Sequence, residues 1–230
     1  MSGWNGGVIG ATRTPTILAA SGVWAMNLLA NAQRAGIWPR QRDVVAFDAV
    51  TTGGSSFSHT VGSGNNRKLL VCTWADSSGV TYNGVAMTKV AQVQQGSGMC
   101  SIWELTAPPV GTYTVATAGG GGYTIAASYR GVLQSPISLF ATNSNVASAT
   151  APVTFTTTVD GCWAVQYTVV NGSVTSWSAG ATQIATYGGV TAAADTDSPK
   201  TPAGSLTITA NLSGVTNWGA VMVALEPAFL

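Results

Sequence analysis

The side chains able to do chemistry are few and far apart. His59 is the single histidine. It alternates with Phe57 and Val61 in SFSHTV, a pattern that turns it inward or to a strand edge as a packed, hydrogen-bonded residue. A nucleophilic triad needs such a base beside a hydroxyl or thiol and an orienting acid, and no spacing in the chain brings those together. Cys72, Cys100 and Cys162 have no metal-type spacing. They lie in three apolar, strand-like runs, LLVCTWA, MCSIWEL and GCWAVQY, where a free thiol behaves as a small hydrophobe. Buried thiols without an intramolecular disulfide, in a protein assembled inside a reducing cell, are the expectation. One histidine with three scattered cysteines does not make a zinc site. Asp195 and Asp197 in ADTDS offer two carboxylates where calcium needs six or more oxygens, so a solvated polar loop is expected there. None of the eight acids sits in a motif for glycoside hydrolysis. The glycine run 119–122 precedes a strand pattern and lacks the helix of a phosphate loop. These residues imply no catalytic site, no cofactor and no metal, and the chain reads as a non-enzyme.

The eight tryptophans and six tyrosines point elsewhere. An aromatic ring exposed on a β-sandwich can lie flat against the apolar face of a sugar. Trp74, Trp103, Trp163 and Trp218 fall within strand runs and read as core, whereas Trp177 lies near a turn with Tyr187 in the same half. Trp177 and Tyr187 are therefore the candidate sugar-stacking residues. Composition sets the background. Hydrophobic residues make up 46 % of the chain and charged ones 7 %, with a net charge of +1. That is far below the charged share of about 25 % in ordinary soluble domains, so Ser, Thr, Asn, Gln and Gly must carry solubility. A net charge this small creates no field for nucleic acid or anionic lipid. No apolar run approaches the length of about 18 residues or more that a membrane span needs.

Two kinds of element must position these residues. Residues 1–20, rich in Gly, Ala and Thr, read as an extended arm. Ser21 to Arg40 reads as the one helix, with Ser21 as N-cap, apolar groups at three- and four-residue spacing, and Gly36, Ile37 and Pro39 ending it. A signal peptide is weighed for the stretch after Arg13, but its Ser, Gly, Asn and Trp and its distance from Met1 argue against one. Residues 1–42 hold Arg13, Arg34, Arg40 and Arg42 and no acid, whereas after Arg130 the only base is Lys200. A short helix with so broad an apolar surface must dock on something larger. Trp4, Trp24, Leu28, Arg34, Ile37 and Trp38 are its candidate anchor or interface residues.

From residue 43 onward strand patterns recur at about eight- to twelve-residue spacing, punctuated by Asn83-Gly84, Pro108-Pro109, the glycine run and Asn171-Gly172. Residues 123–130 and 162–170 alternate and read as half-buried antiparallel strands. GAVMVALEP is apolar on both faces and reads as a central strand. Four segments recur in unchanged order at a lag of 93 to 96 residues: 67–75 with 160–169, 80–93 with 174–187, 108–117 with 200–210, and 122–132 with 217–228. The expected fold is all-β, a jelly-roll-like β-sandwich with internal duplication, preceded by an extended N-terminal arm and one short helix. Its domains are 1–42, the arm and anchor helix, and 43–230, the sandwich, with pseudo-repeats at about 43–135 and 136–230. Two tandem small sandwiches and one sandwich of interleaved half-sets both satisfy the pattern.

The N-terminal pattern GVIGATRTPT…ASGVWAMNLLANAQRAGIWP resembles a short segment of structural proteins of tailed bacteriophages. Gly7 to Gly10, Pro15, Gly22 to Trp24, Gln33, Arg34, Gly36, Trp38 and Pro39 carry that match, while Met26 and Asn27 depart from it. Residues 45 to 228, through FSHTVGSGNNRKLLV, VTYNGVAMTKV, PPVGTYTV and NWGAVMVALEPA, resemble a β-sandwich unit of phage and bacterial surface proteins. The resemblance implies a virion protein, a capsid decoration or a tail or fibre appendage, assembled in the bacterial host cytoplasm and exposed on the particle. Its partners would be other virion proteins of the capsid or tail and copies of itself, a trimer favoured, with a host-surface glycan as a further partner. The alternative is a carbohydrate-binding adhesion module of a surface or tail protein.

Overall fold

β-branched and aromatic runs separated by turn residues form fifteen strands among the described residues, which are 41–96, 98–120 and 122–230 of a computed structural model. The expected arm and helix, with Trp4, Trp24, Leu28, Arg34, Ile37 and Trp38, lie outside those residues. The first half holds β1 (Ala46–Gly53), β2 (Ser56–Val61), β3 (Lys68–Thr73), β4 (Gly79–Tyr82), β5 (Val85–Ala86), β6 (Thr88–Gln95), β7 (Gly98–Thr106), β8 (Gly111–Ala118) and β9 (Thr124–Arg130). The second holds β10 (Phe140–Thr156), β11 (Trp163–Val170), β12 (Val174–Trp177), β13 (Thr182–Tyr187), β14 (Thr191–Asp195) and β15 (Ser205–Leu225). All pairings are antiparallel. The Asn83-Gly84 turn works as its sequence suggests, with φ of 52° and 72°, the double left-handed geometry of a tight hairpin.

The strand order is written twice. In the first half one sheet runs β1-β9-β3-β7-β6 and a second runs β2-β8-β4-β5. In the second half β10-β15-β11-β14-β13 repeats the first of these, and β12 pairs with the early part of β15 as β4 pairs with β8. The difference lies at the corners. Residues 54–55 separate β1 from β2, and 119–123 separate β8 from β9, whereas β10 and β15 run through both layers as single strands. Those long strands turn the corner at register shifts between Asn145 and Thr150. Bulges of this kind let one strand pass from one packed sheet to another.

Three apolar cores hold four layers together. The central core joins the two large sheets: Leu70, Cys72, Ile102 and Tyr129 of the first half meet Val165, Tyr167, Val221 and Leu225 of the second. An outer core in the first half joins Leu69, Val71 and Ala126 to Val61, Tyr82 and Val115 of the smaller sheet. Its counterpart in the second half joins Ala164, Met222 and Ala224 to Val153, Phe155 and Ile208. The central strands β3, β9, β11 and the end of β15 are thus covered on both faces. This corrects the reading of 123–130 and 162–170 as half-buried, because their alternate small and polar residues face an outer core instead of water. Across the central core β1 lies against β13 and β6 against β10, while β9 meets β14 and β7 meets β15. Exchanging the halves exchanges the two contacts in each pair, which is the pattern of a two-fold axis.

The connection between the halves is held by a buried ion pair. Lys68 Nζ, at 0 % exposure, donates to Glu104 Oε2 (2.8 Å), Thr106 Oγ1 (3.0 Å) and the carbonyl of Ser135 (2.8 Å), while Glu104 Oε1 accepts the N–H of Ile137 (2.9 Å). All three ammonium protons are used, so desolvation of the pair is offset by full hydrogen bonding. Gln41 to Leu230 form one compact unit. Its two chain ends lie side by side, with Asp43 N–H donating to Ala228 O (2.8 Å) and Leu230 N–H to Gln41 O (3.0 Å).

Candidate functional site

His59 and Asp48 are held by different partners. His59 is 1 % exposed, its Nδ1 lies 3.1 Å from Thr51 Oγ1, and its ring meets Tyr82 edge to face. Burial lowers its pKa to about 4, although the nearby charge of Asp48 pulls the other way. Asp48 instead accepts from Ser128 Oγ (2.7 Å) and the N–H of Gly62 (2.8 Å). Hydroxyl, imidazole and carboxylate are therefore neighbours without a relay among them, and the inward, hydrogen-bonded histidine expected from the sequence is what the fold contains. Asp195 departs from expectation. It is 1 % exposed in the central core, where Tyr129 Oη donates to its Oδ2 (3.0 Å) and the N–H of Asp197 to its Oδ1 (3.1 Å). Burial raises its pKa to about 6 against those two hydrogen bonds. It is a strut between the halves and not a solvated loop acid.

Cys72, Cys100 and Cys162 are buried free thiols. Burial pushes Cys162 up to about 11 and Cys72 well above its usual value. Cys100 Sγ reaches the Tyr167 carbonyl across the central core at 3.7 Å. Among the described residues no three of His, Cys, Asp and Glu are grouped to hold a metal ion, and no helix is long and apolar enough to cross a membrane.

The aromatic residues are brought together in a way the sequence does not show. Trp177, half-buried, packs on the outer core of the second half, and its Nε1 donates to Gln183 Oε1 (3.2 Å). Tyr187 packs on the central core instead, so this pair does not share one core. Tyr187 stands 5.5 Å from Tyr123, which stands 5.5 Å from Trp74, in a row of three half-buried rings. Trp74 follows the last residue of β3 and packs half-buried on the central core, unlike Trp103, Trp163 and Trp218, which are buried. Tyr123 precedes β9 and Tyr187 closes β13, so the row crosses the seam between the halves.

Hydrogen bonds and close packing fix this edge. Trp74 Nε1 donates to Gln95 Oε1 (3.4 Å), and Gln95 Nε2 donates to the Asn217 carbonyl across the seam (3.1 Å). Gly188 has φ of 61°, and a Cβ there would fall 2.0 Å from the Tyr123 ring, so both the turn and the approach require glycine. A second concavity, an open groove of about 360 Å³, lies between Ala179 and Thr207 with Lys200 on its wall. Its lining mixes Thr and Ser with small and apolar residues and has no aromatic ring.

The aromatic edge and the chain ends occupy opposite ends of the large sheets. Gly53 pairs with Thr124 at the aromatic end, and Ala46 with Arg130 at the end where residues 41–43 meet 227–230. The intervening strand, at about 3.3 Å per residue, separates them by roughly 20 Å. The fold and this edge define an all-β protein of packed antiparallel sheets with a row of half-buried aromatic rings at one edge. No family model, curated protein or solved structure matches the chain.

Proposed function

We propose that this chain is a structural protein of a tailed-bacteriophage virion, a capsid decoration or a tail or fibre appendage, attached through residues 1–42 and exposed on the particle as a homo-oligomer, a trimer favoured. In this reading the described unit is a tandem of two jelly rolls. The nested pairings β1 with β9, β2 with β8, β3 with β7 and β4 with β5 support it, since they are those of one long hairpin rolled up. The observation that carries the functional reading is polarity along the strands. Residues 41–43 sit at one end of the sheets and the aromatic row at the other, as in a module held at its base and presenting its tip. A small net charge and packed antiparallel sheets suit a load-bearing particle component. The test is deletion of residues 1–40. The remainder is expected to stay folded and soluble but no longer to copurify with particles. Particles that still incorporate it would overturn attachment through the N-terminal segment.

A second reading, a carbohydrate-binding adhesion module, is favoured by the aromatic row itself. The two are compatible, because a particle component held at one end can bind a host-surface glycan with the other.

A further inference from the structure

We infer that the row Trp74, Tyr123 and Tyr187 is a binding site for a neutral oligosaccharide of hexose or N-acetylhexosamine units. This rests on the adhesion reading above and names its site and ligand class, in place of the Trp177 and Tyr187 pair. Four observations converge. The rings are not isolated: each is half-buried, and at 5.5 Å between centres they pack against one another as one continuous aromatic patch. The polar groups beside them are neutral. Within the described residues the hydroxyls of Tyr123 and Tyr187 and the side-chain amide of Asn217 form no hydrogen bond, which leaves them free for sugar hydroxyls. Asp76, the acid nearest to Trp74 in sequence, lies 3.8 Å from Lys89 Nζ and so faces a cation. Finally, the row crosses the seam, where clefts between packed units favour ligand sites, and it is held by the Gln95 bridge to Asn217.

The ring planes narrow the ligand further. They are inclined at 58° and 65° to one another, so the edge is a staircase and not a flat platform. A flat polymer surface would meet one ring and miss the others. A soluble chain can lay the apolar face of a sugar on the exposed part of this patch, with the neutral polar groups beside it fixing its direction.

The full-length protein should be screened on a printed array of neutral and acidic oligosaccharides, and the strongest soluble neutral binder titrated by tryptophan fluorescence. Expected is binding to neutral oligosaccharides that weakens by about tenfold or more in Tyr187→Ala and in Tyr123→Ala, with Trp177→Ala unchanged. Thermal unfolding checks that each variant is folded. Asn217→Ala, which removes a side chain with no internal hydrogen bond, gives the same weakening if either tyrosine variant fails to fold. Binding to no glycan, to acidic glycans alone, or undiminished in Tyr187→Ala and Asn217→Ala would overturn the inference. Particle copurification measured on the same variants separates this outcome from the virion reading, since it should not change.

Discussion

The two halves share one strand order but fill equivalent positions with opposite chemistry. The first residue of β3 is Lys68, buried and paired with Glu104, whereas the first residue of β11 is Trp163, buried among apolar groups of the central core. His59, opposite Tyr113 on β2 and β8, corresponds to Val153 opposite Ile208 on β10 and β15. The relation reverses one layer in, where Val71 of β3 corresponds to the buried Gln166 of β11, whose amide donates to Ala151 O and Thr168 Oγ1. The topology therefore tolerates polar or apolar fillings at the same place, even though His59 Nε2 and Gln166 Oε1 are buried without a hydrogen-bond partner. Side chains that meet across the seam follow the same logic by size: Cys72 corresponds to Tyr167 and Tyr129 to Leu225, so a large residue in one half accompanies a smaller one in the other.

The largest effects should come from the Lys68 and Trp163 positions. Lys68→Met leaves Glu104 buried and unpaired and is expected to cost about 3–5 kcal/mol in denaturant unfolding. Adding Glu104→Leu should recover most of that loss, because the uncompensated charge disappears. Trp163→Ala should cost a similar amount, about 3–5 kcal/mol, through the cavity it leaves. If the double variant is no more stable than Lys68→Met, packing and not charge governs the first half, and the contrast between the halves fails.

Next in size is an opposed response to pH. The pKa of His59 is lowered to about 4, so its contribution is full above its unfolded value of about 6.5 and is lost as pH falls toward 4. The pKa of Asp195 is raised to about 6 from 3.8, so its contribution is full near pH 4 and is lost as pH rises through 6. Each shift corresponds to about 3 kcal/mol, and the two oppose each other between pH 4 and 6.5. On moving from pH 7.5 to 4.5, His59→Val should gain about 2–3 kcal/mol relative to the parent and Asp195→Asn should lose about 2. Urea midpoints of the three proteins at both pH values would show this. Parallel responses would mean that the two groups do not titrate as their burial requires.

The smallest effect sharpens the resemblance of the halves. Thr60 Oγ1 and Thr112 Oγ1 are 2.7 Å apart, and so are Thr154 Oγ1 and Thr207 Oγ1 at the corresponding positions. Both are exposed cross-strand pairs, so Thr60→Ala and Thr154→Ala should each cost less than about 1 kcal/mol and by equal amounts. Thermal unfolding resolves a difference if there is one.

Much of this architecture is legible in local pattern. Val153 with Phe155 and Leu206 with Ile208 alternate as strands with one buried face do, Asn83-Gly84 marks its turn, and the double-faced run before Leu225 is a central strand. What local pattern does not carry is layering. Thr168, Gln166 and Ser128 occupy alternate positions that look solvent-facing, yet an outer sheet drawn from distant sequence covers them. The aromatic edge was half visible for the same reason. Tyr187 stands out beside a glycine pair, but Trp74 ends an apolar run like any core residue, and only the seam between the halves places Tyr123 beside both. Asp195 looks like a loop acid because Tyr129, its partner, lies 66 residues away.

The adjacency of residues 41–43 and 227–230 has a mechanical consequence. Tension applied between Gln41 and the aromatic edge runs along the strands, so the ladder bonds of β1, β9 and β3 are loaded in shear and must yield together. Tension applied between Gln41 and Leu230 acts on bonds that join those residues side by side, such as Leu230 N–H to Gln41 O, and peels them one at a time. The domain is stiff when pulled from base to tip and yields readily when its two ends are drawn apart.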